Sequence, residues 1–455
     1  MNRYAGRNVV VLGLGLTGLS VARYLAAHGA TVRVADTRQA PPFAPTLAVA
    51  LPEVPLATGP LDERTFAYAD LIVISPGLAR AHPAVAAAVS RGVELVGDIE
   101  LFARALPPGQ KLLAITGSNG KTTVTSLTGA LCAASGMSVS VAGNIGTPVL
   151  DILPQDGLWP DVFVVELSSY QLETTSSLLP VAATVLNVTE NHLDRYPGMD
   201  EYVAAKARIF INGGMQVLNR DDPRSLALAV PGRLVDTFGA GVPESEEAWG
   251  LVAHQGTWLA RGGALLAPTA DLKLVGRHNV LNSLAALALT SAVAKINRDV
   301  LSALACFEGL PHRMQRVGTV GGVLYVNDSK GTTVAATLAA LEGSERPVIL
   351  IAGGDGKGQD FSPLRAAVDA HCVAVLLIGR DAPLLARALA GTPVTVDDCA
   401  TLAVAFARAK ALARPGDLVL LSPACASLDQ FTDYVARGDQ FIAAVTGQAT
   451  GAAHA

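Results

Sequence analysis

The chain has 455 residues, a formal net charge of −5, and hydrophobic side chains at half of its positions. This length predicts about three domains of roughly 150 residues each. Because no basic block is present, nucleic acid is not an expected partner. The five cysteines are scattered without a CxxC pair, so we expect buried thiols in a reducing compartment.

The first residues, MNRYAGRNVVVLG, lead almost directly into an apolar run and lack the layout of a signal peptide. Hydrophobic stretches such as 284–294 are too short, and too interrupted by Ser and Thr, to span a bilayer. We therefore expect a cytoplasmic protein with no membrane partner, and we expect a monomer.

The first glycine loop follows the apolar run 9–12 and reads Gly13–Gly18, with a helical pattern after it and a strand pattern that ends in Asp36. This is the Rossmann fingerprint, in which glycines admit a diphosphate and the acid meets a ribose. Taken alone, it suggests NAD binding, and the alternative is a turn that binds no ligand. A further apolar run, 71–74, enters a second tight turn, Ser75–Gly77.

The second glycine loop is the stronger signal. An apolar run, 112–115, enters Thr116–Thr123, read as TGSNGKTT, and a helical pattern follows to residue 134. In a strand–loop–helix phosphate cradle, Lys121 reaches the β- and γ-phosphates and the Thr122 hydroxyl holds Mg²⁺. The strict pattern has glycine where this chain has Ile115. The alternative is an ordinary glycine turn followed by a chance Lys-Thr pair.

Further polar residues follow the next predicted strands. Glu166 ends the buried strand pattern 161–167, where Mg²⁺ next to a phosphate loop needs a carboxylate. His192 follows the strand pattern 183–188, and Lys206 lies in a predicted helix over 199–210. Each has a plainer interpretation: a solvated acid, a structural histidine and a surface lysine.

The last third alternates strand patterns with Ala-rich helices, which predicts a parallel sheet. Polar turns follow three of its strands: 327–332, which we expect to open a helix, 353–358 and 422–429. No Ser or Thr follows Lys357, so the second of these turns is not another phosphate loop. Upstream, Asn279 and Asn282 share one helix face, an arrangement equally compatible with helix capping.

Together these stretches resemble the Mur ligases, the ATP-dependent amide-forming enzymes of peptidoglycan precursor synthesis. The resemblance rests on TGSNGKTT, Gly15–Gly18, Asp36–Arg38, Ser75–Gly77 and SPACASLDQF, and it covers nearly the whole chain. It implies an α/β protein with a Rossmann-like UDP-substrate domain (1–106), a central ATP-binding P-loop domain (107–310) and a Rossmann-like C-terminal amino-acid domain (311–455). The last motif resembles that of the member that adds D-glutamate to UDP-N-acetylmuramoyl-L-alanine through an acyl phosphate.

The resemblance also implies the site residues. The catalytic residues are Lys121, Glu166, His192 and Lys206. Mg²⁺ is held by Thr122, Glu166, His192 and Lys206, the last as a carbamate. ATP is bound by Gly117, Ser118, Asn119, Gly120, Lys121, Thr122, Thr123, Asn279, Asn282, Arg313, Asp328 and Lys330. The UDP-substrate is bound by Gly15, Leu16, Thr17, Asp36, Thr37, Arg38, Ser75, Pro76, Gly77, Asn144 and His192. D-Glutamate is bound by Thr332, Lys357, Ser427, Leu428 and Tyr434.

The chain departs from the family pattern at two places, with Asn191 where many members have Asp and Tyr434 where Phe is usual. Four alternatives stay open from the sequence. Within the superfamily they are a sibling ligase that adds another residue, or a folylpolyglutamate synthase, which would not need the first-domain UDP loops. Outside it they are an NAD-dependent dehydrogenase or regulator, and a nucleotide-binding module without turnover.

Overall fold

The computed structural model describes residues 3–190 and 195–447. The chain folds into two compact units. The first consists of Met1–Gly250, Arg261–Gly263 and Ala285–Val300, and the second of Leu251–Ala260, Ala264–Leu284 and Leu301–Ala455. The boundaries 1–106, 107–310 and 311–455 stay predictions. The expectation for His192 lies outside the described residues.

The first sheet is parallel, with strand order β3-β2-β1-β4-β5. Its strands are β1 Asn8–Leu12, β2 Thr31–Asp36, β3 Leu56–Thr58, β4 Leu71–Ile74 and β5 Glu94–Val96. Its helices are α1 Leu16–Ala27, α2 Ala44–Ala50, α3 Pro83–Ser90 and α4 Asp98–Ala105. The strand order reverses direction at β1, and the crevice at such a point is where open α/β sheets bind ligands. Both predicted turns, Gly13–Gly18 and Ser75–Gly77, lie there, after β1 and β4.

The second sheet has nine strands in the order β14-β13-β12-β11-β10-β9-β6-β8-β7. These are β6 Lys111–Thr116, β7 Val139–Gly143, β8 Val162–Glu166, β9 Ala182–Val185, β10 Met215–Asn219, β11 Val235–Phe238, β12 Ala248–Ala253, β13 Thr257–Arg261 and β14 Ala264–Pro268. The helices of this part of the chain are α5 Lys121–Ala134, α6 Ser169–Leu172, α7 Met199–Ala207, α8 Pro223–Leu226, α9 Arg277–Ser291 and α10 Arg298–Cys306. The strands β8 and β9 flank β6 in parallel register, and both are buried along their whole length, which explains their continuous apolar sequence.

The third sheet has the order β15-β16-β20-β17-β18-β19. Its strands are β15 Gln315–Val320, β16 Val323–Asn327, β17 Val348–Gly353, β18 Cys372–Ile378, β19 Thr395–Ala400 and β20 Leu418–Leu421. Its helices are α11 Val334–Glu342, α12 Leu364–His371, α13 Ala382–Ala388, α14 Leu402–Leu412 and α15 Tyr434–Thr446. The predicted parallel sheet is correct for five strands, but β15 pairs antiparallel with β16. Gly321 and Gly322, both with positive φ, form the two-residue hairpin turn that reverses the chain there.

Two further predictions need correction. The helix predicted over 199–210 is α-helical only to Ala207 and ends in a 3₁₀ turn, Arg208–Phe210. Of the five cysteines, all free, Cys306 at the end of α10 is exposed, whereas the other four are buried as expected. Among the described residues, we find no helix with the length and apolarity needed to cross a bilayer.

Candidate active site

The loop between β6 and α5 has the form of a phosphate cradle. Gly120, the N-cap of α5, has φ of 82°, and Gly117 has φ of 156°. A Cβ added to Gly117 would lie 3.0 Å from the Cβ of Leu186, so this position favours glycine both by conformation and by space. The Lys121 ammonium donates to the carbonyl oxygens of Gly117 at 2.8 Å and Ser118 at 2.9 Å. The lysine therefore arches over the loop in which a phosphate would lie.

Asn187, to which the sequence analysis gave no role, fixes the loop from the neighbouring strand. It follows β9, and its side chain accepts from the Asn119 backbone N–H at 2.8 Å and donates to the Asn119 carbonyl at 3.1 Å. The Asn187 carbonyl also accepts from the Ser118 N–H. The sequence could have indicated Asn187 by its position. It follows a strand that neighbours the strand of the phosphate loop, so its amide lies at the same edge of the sheet as the loop.

Glu166 ends β8 beside the loop and is 1% exposed. Its Oε1 accepts from the Asn144 side chain at 2.9 Å, and its backbone carbonyl accepts from the Asn144 N–H. The strands approach so closely at this point that a Cβ on Gly143 would lie 2.1 Å from the Glu166 carbonyl oxygen. The two predicted residues Glu166 and Asn144 are therefore in direct contact.

Lys206 is 1% exposed, which rules out a surface lysine. Its ammonium donates to the Gly117 carbonyl at 2.9 Å and lies 4.5 Å from the centre of the Tyr202 ring. Burial holds the pKa of Lys206 well below its usual value, and the charge of Lys121 lowers it further, against a smaller opposing effect of Glu166. Two predicted catalytic residues, Lys121 and Lys206, thus donate to one carbonyl oxygen.

The part of the chain that the structure describes contains no group of three or more His, Cys, Asp or Glu side chains able to hold a metal. One carboxylate oxygen near the phosphate loop is available to a metal ion. Glu166 Oε2 is buried and has no hydrogen-bond partner among the described residues. Carboxylate oxygens are the ligands that Mg²⁺ prefers. A lysine with a strongly lowered pKa is also the form that can react with CO₂, since only the neutral amine is nucleophilic. Glu166 therefore offers an oxygen of the kind that Mg²⁺ prefers, and Lys206 would add anionic oxygens only as a carbamate.

Asp36 stabilises the first-domain loop, because its carboxylate accepts hydrogen bonds from groups of the protein itself. Its Oδ2 accepts from the Leu14 N–H at 2.7 Å, and both of its oxygens accept from the guanidinium of Arg38, at 2.6 and 2.9 Å. The Arg38 hydrogen bond is the main reason that the pKa of Asp36 falls to about 2. In the structure the fingerprint acid therefore orders the turn around Gly13–Gly18.

The turn Ser75–Gly77 forms hydrogen bonds with the first glycine loop and with Arg195. Its Ser75 hydroxyl donates to the Gly13 carbonyl at 3.2 Å. The Arg195 guanidinium donates to the Pro76 carbonyl at 3.4 Å and forms a salt bridge of 3.1 Å with Glu173. The two predicted UDP turns thus adjoin each other, and the second of them also contacts Arg195.

In the second unit, Asn279 and Asn282 bond to each other. The Asn282 amide donates to Asn279 Oδ1 at 2.9 Å, and the Asn279 amide donates to the Val275 carbonyl at 2.8 Å. Asp328 accepts from Ser422 Oγ at 2.8 Å and from the Met314 N–H at 3.1 Å, while burial raises its pKa to about 6. These side chains predicted to contact the nucleotide therefore form hydrogen bonds within the protein in this structure.

Four of the five residues predicted to bind D-glutamate lie on turns that follow β16, β17 and β20, at the carboxyl edge of one sheet, and Tyr434 is the first residue of α15. The Lys330 ammonium lies 3.9 Å from the centre of the Tyr434 ring, close enough for a cation–π interaction. Lys357 is exposed with φ of 50°, and its N–H donates to Asp355 at 2.9 Å. Ser427 is buried, whereas the neighbouring Leu428 is 64% exposed.

Comparison with known proteins covers all three parts of the chain. Residues 7–97 match the N-terminal domain of MurD-like Mur ligases, 115–290 the Mur ligase middle domain, and 312–425 the glutamate ligase domain of Mur ligases. A relative from Thiobacillus denitrificans is 52% identical, over 97% of this chain and 96% of its own length. One from Methylobacillus flagellatus is also 52% identical, over 97% of each chain. Both carry the name UDP-N-acetylmuramoylalanine–D-glutamate ligase.

Solved structures of similar fold agree. The UDP-N-acetylmuramate–alanine ligase of Thermotoga maritima superposes with a TM-score of 0.58 at 19% identity, over 97% of this chain and all of the other. A MurF structure from Acinetobacter baumannii gives 0.56 at 17% identity, over 98% and 92% of the two chains. At these identities the likeness concerns the fold, which is the three-domain α/β fold expected from the sequence. With this fold, three matching domain models and relatives about half identical over nearly their whole length, the chain belongs to the Mur ligase family.

Proposed function

We propose that the chain is an ATP-dependent ligase that joins D-glutamate to UDP-N-acetylmuramoyl-L-alanine in peptidoglycan precursor synthesis. The observation that carries this proposal is the 52% identity, over 97% of the chain, to relatives named for that reaction. The half-buried Lys121 and the buried Lys206 and Glu166 around one phosphate loop support ATP as the source of energy. In the indicated family, the reaction passes through an acyl phosphate.

The proposed reaction has two steps. An oxygen of the substrate's L-alanyl carboxylate bonds to the γ-phosphorus of ATP, and ADP leaves with the electrons of the broken P–O bond. The amine of D-glutamate then attacks the acyl carbon, inorganic phosphate leaves, and the nitrogen loses a proton. Since phosphoryl transfer requires mainly positioning and charge stabilisation, the protein acts by holding charged groups around the phosphate.

Lys121 is the proposed catalytic cation. Its ammonium already lies over the loop carbonyls of Gly117 and Ser118. A bound γ-phosphate offers this ammonium charged oxygens, and charge-assisted hydrogen bonds to them are stronger than bonds to neutral carbonyls. Gly117–Thr123 bind the phosphates through backbone N–H groups at the start of α5, where the helix dipole also favours an anion.

Mg²⁺ would be held by Thr122, Glu166, His192 and Lys206 as a carbamate. When bound, the ion neutralises charge on the phosphate oxygens. The burial and lowered pKa of Lys206 favour the neutral amine that reacts with CO₂, with loss of one proton and gain of an anionic carboxylate. Asn144 orients Glu166 through its amide hydrogen bond.

The remaining contacts are proposed from the family resemblance and from the positions of the turns. For the UDP-substrate they are Gly15, Leu16, Thr17, Asp36, Thr37, Arg38, Ser75, Pro76, Gly77, Asn144 and His192. For the nucleotide they are, besides the phosphate loop, Asn279, Asn282, Arg313, Asp328 and Lys330. For D-glutamate they are Thr332, Lys357, Ser427, Leu428 and Tyr434. We propose that the protein is cytoplasmic, because UDP-linked precursors and ATP are cytoplasmic metabolites. We also propose that it is a monomer.

The test is ADP release across combinations of UDP-muramoyl precursors and amino acids. We expect release only when UDP-N-acetylmuramoyl-L-alanine and D-glutamate are both present, and a Lys121→Ala variant should lose it. Release with L-alanine, a diamino acid or D-alanyl-D-alanine in place of D-glutamate would instead identify a sibling ligase. A change in nicotinamide absorbance without ADP release would identify a dehydrogenase, and ATP binding without release would identify a module without turnover.

A further inference from the structure

Arg437 is the largest charged side chain buried in the second unit, with an exposure of 0%. It lies in the first turn of α15, three residues after Tyr434. A buried arginine normally has a carboxylate partner, since an unpaired buried charge is costly. Among the described residues, however, no carboxylate lies within salt-bridge distance of this guanidinium.

The guanidinium instead donates to three different turns. Its Nε and Nη2 bond to Ser329, at 3.0 Å to the hydroxyl and 2.8 Å to the carbonyl oxygen. Both Nη atoms bond to the Cys425 carbonyl at 3.1 Å, and Nη1 makes a longer contact of 3.5 Å with the Gly353 carbonyl. Ser329 and Cys425 lie on the turns after β16 and β20, and Gly353 is the last residue of β17, where the next turn begins. A planar fork of five donors can reach acceptors on several separate segments, whereas the three donors of a lysine ammonium all lie on one nitrogen.

Each of these turns carries residues already proposed to bind D-glutamate. Ser329 is three residues before Thr332, Gly353 is four before Lys357, and Cys425 is two before Ser427. The helix of Arg437 itself carries Tyr434, whose carbonyl accepts from the Ser329 hydroxyl at 2.8 Å. One side chain thus connects all the segments that would surround the amino acid.

The local charges are of both signs: Asp433 is the N-cap of α15, and some of the other charges near Arg437 are positive. The α15 N-terminus adds the positive end of a 13-residue helix to the charge of Arg437, and Lys330 lies against Tyr434 nearby. Burial lowers the pKa of Arg437 to about 10, partly opposed by the more distant charges of Asp328 and Asp429. The side chain therefore stays charged at neutral pH.

We propose that Arg437 is a positioning residue for the acceptor amino acid, which holds the three turns together and makes them a site for a dicarboxylate. This inference rests on the proposed function, in which that dicarboxylate is D-glutamate. Arg437 does not touch the substrate in this account. It acts through the carbonyls of Ser329, Gly353 and Cys425, which it holds in place.

The test is steady-state kinetics of Arg437→Met and Arg437→Lys, with Arg387→Met on the exposed face of α13 as the matched control. We expect Arg437→Met to raise KM for D-glutamate by about tenfold or more, with KM for the UDP-substrate unchanged within about twofold. Arg437→Lys should lie between this variant and wild type, because it keeps the charge and loses the fork. Arg387→Met should match wild type.

A folded Arg437→Met protein with a wild-type KM for D-glutamate would overturn the inference, as would equal rises in KM for D-glutamate and the UDP-substrate. Should both variants fail to fold, hydrogen exchange of the wild type decides. D-Glutamate should then slow exchange in 329–332, 425–428 and 434–438 together, and protection of only one segment would overturn the inference. A wild type that shows no D-glutamate-dependent ADP release overturns the proposed function instead.

Discussion

At the scale of single residues, the decisive feature of the site is an amine that the fold forces towards neutrality. Lys206 is buried against Gly117 and Tyr202, and its pKa is well below the usual value of a lysine. The Ala-rich sequence around it gave no sign of this, since an amphipathic helix places a lysine in solvent by default. Only the packing of α7 against the phosphate loop shows where the side chain lies.

Lys206 should therefore lower stability while supporting turnover. In the unfolded chain the lysine binds a proton up to about pH 10.5, whereas in the folded protein it loses that proton at lower pH, so stability rises with pH across this window. Lys206→Met should then melt several degrees higher than wild type at pH 7, and by a smaller margin at pH 9.5, with turnover reduced at least about a hundredfold. Melting curves in CO₂-free buffer would check this, and a margin that grows with pH would contradict it.

A second buried group should shift stability with pH in the acid range. Asp98 begins α4, accepts from the Gln171 amide at 3.2 Å, and has a pKa that burial raises to about 6. The unfolded carboxyl loses its proton near pH 4, so the wild type loses stability as pH rises from about 4 to about 6. Asp98→Asn should melt like wild type at pH 4 and higher than wild type at pH 7.

The control for that measurement is Asp161→Asn, for which the sign is opposite. Hydrogen bonds from Ser138 lower the pKa of Asp161, so its contribution to stability is present above the unfolded pKa and is lost on acidification. Asp161→Asn should thus melt lower than wild type at pH 7 and approach it in acid. Parallel shifts of the two variants would show that neither carboxyl is the source.

At the scale of elements, the sequence predicted the strands well where they are buried in parallel sheets. The runs 71–74 and 418–421 are strands with those bounds, and Lys121 opens α5 as its motif requires. Short or half-exposed strands such as β3, β5 and β15 were not predicted, because their sequences lack a continuous apolar run. Arg437 was missed for a related reason: an arginine in the first turn of a helix usually faces water.

The first-domain turn offers a test at this scale, because Gly18 is needed for packing whereas Gly15 is proposed to contact the substrate. A Cβ on Gly18 would lie 1.8 Å from the Gly13 carbonyl oxygen, whereas nothing lies within 4 Å of a Cβ on Gly15. Gly18→Ala should therefore lower the melting temperature by several degrees, since the helix must move off the turn. Gly15→Ala should keep the wild-type melting temperature and raise KM for the UDP-substrate.

Thermal melting and substrate kinetics of both variants would separate the two roles. A Gly15→Ala protein with unchanged KM would remove Gly15 from the proposed diphosphate contacts. Equal melting temperatures for the two variants would contradict the close approach of α1 to the turn. The motif alone predicts both glycines, but only the backbone positions tell which one is required for packing.

At the scale of the whole molecule, the proposed reaction requires that ATP activates the carboxylate of the UDP-substrate and that the amine of D-glutamate then attacks the activated carbon. The first unit holds the phosphate loop with Lys121, Glu166 and Lys206, together with the glycine turn proposed for the UDP-substrate. The second unit holds the turns organised by Arg437. Resemblance could predict this division of roles, whereas the buried contacts that support each role became visible only in the structure.

The most direct measurement follows the oxygen atoms. UDP-N-acetylmuramoyl-L-alanine labelled with ¹⁸O in its carboxylate is incubated with ATP, D-glutamate and the protein, and the phosphate and the product are analysed by mass spectrometry. We expect one ¹⁸O atom in each released phosphate, and a product that contains one added glutamate residue and keeps only one of the two ¹⁸O atoms of the substrate carboxylate. Unlabelled phosphate, or a product lacking the glutamate residue, would contradict the proposed reaction.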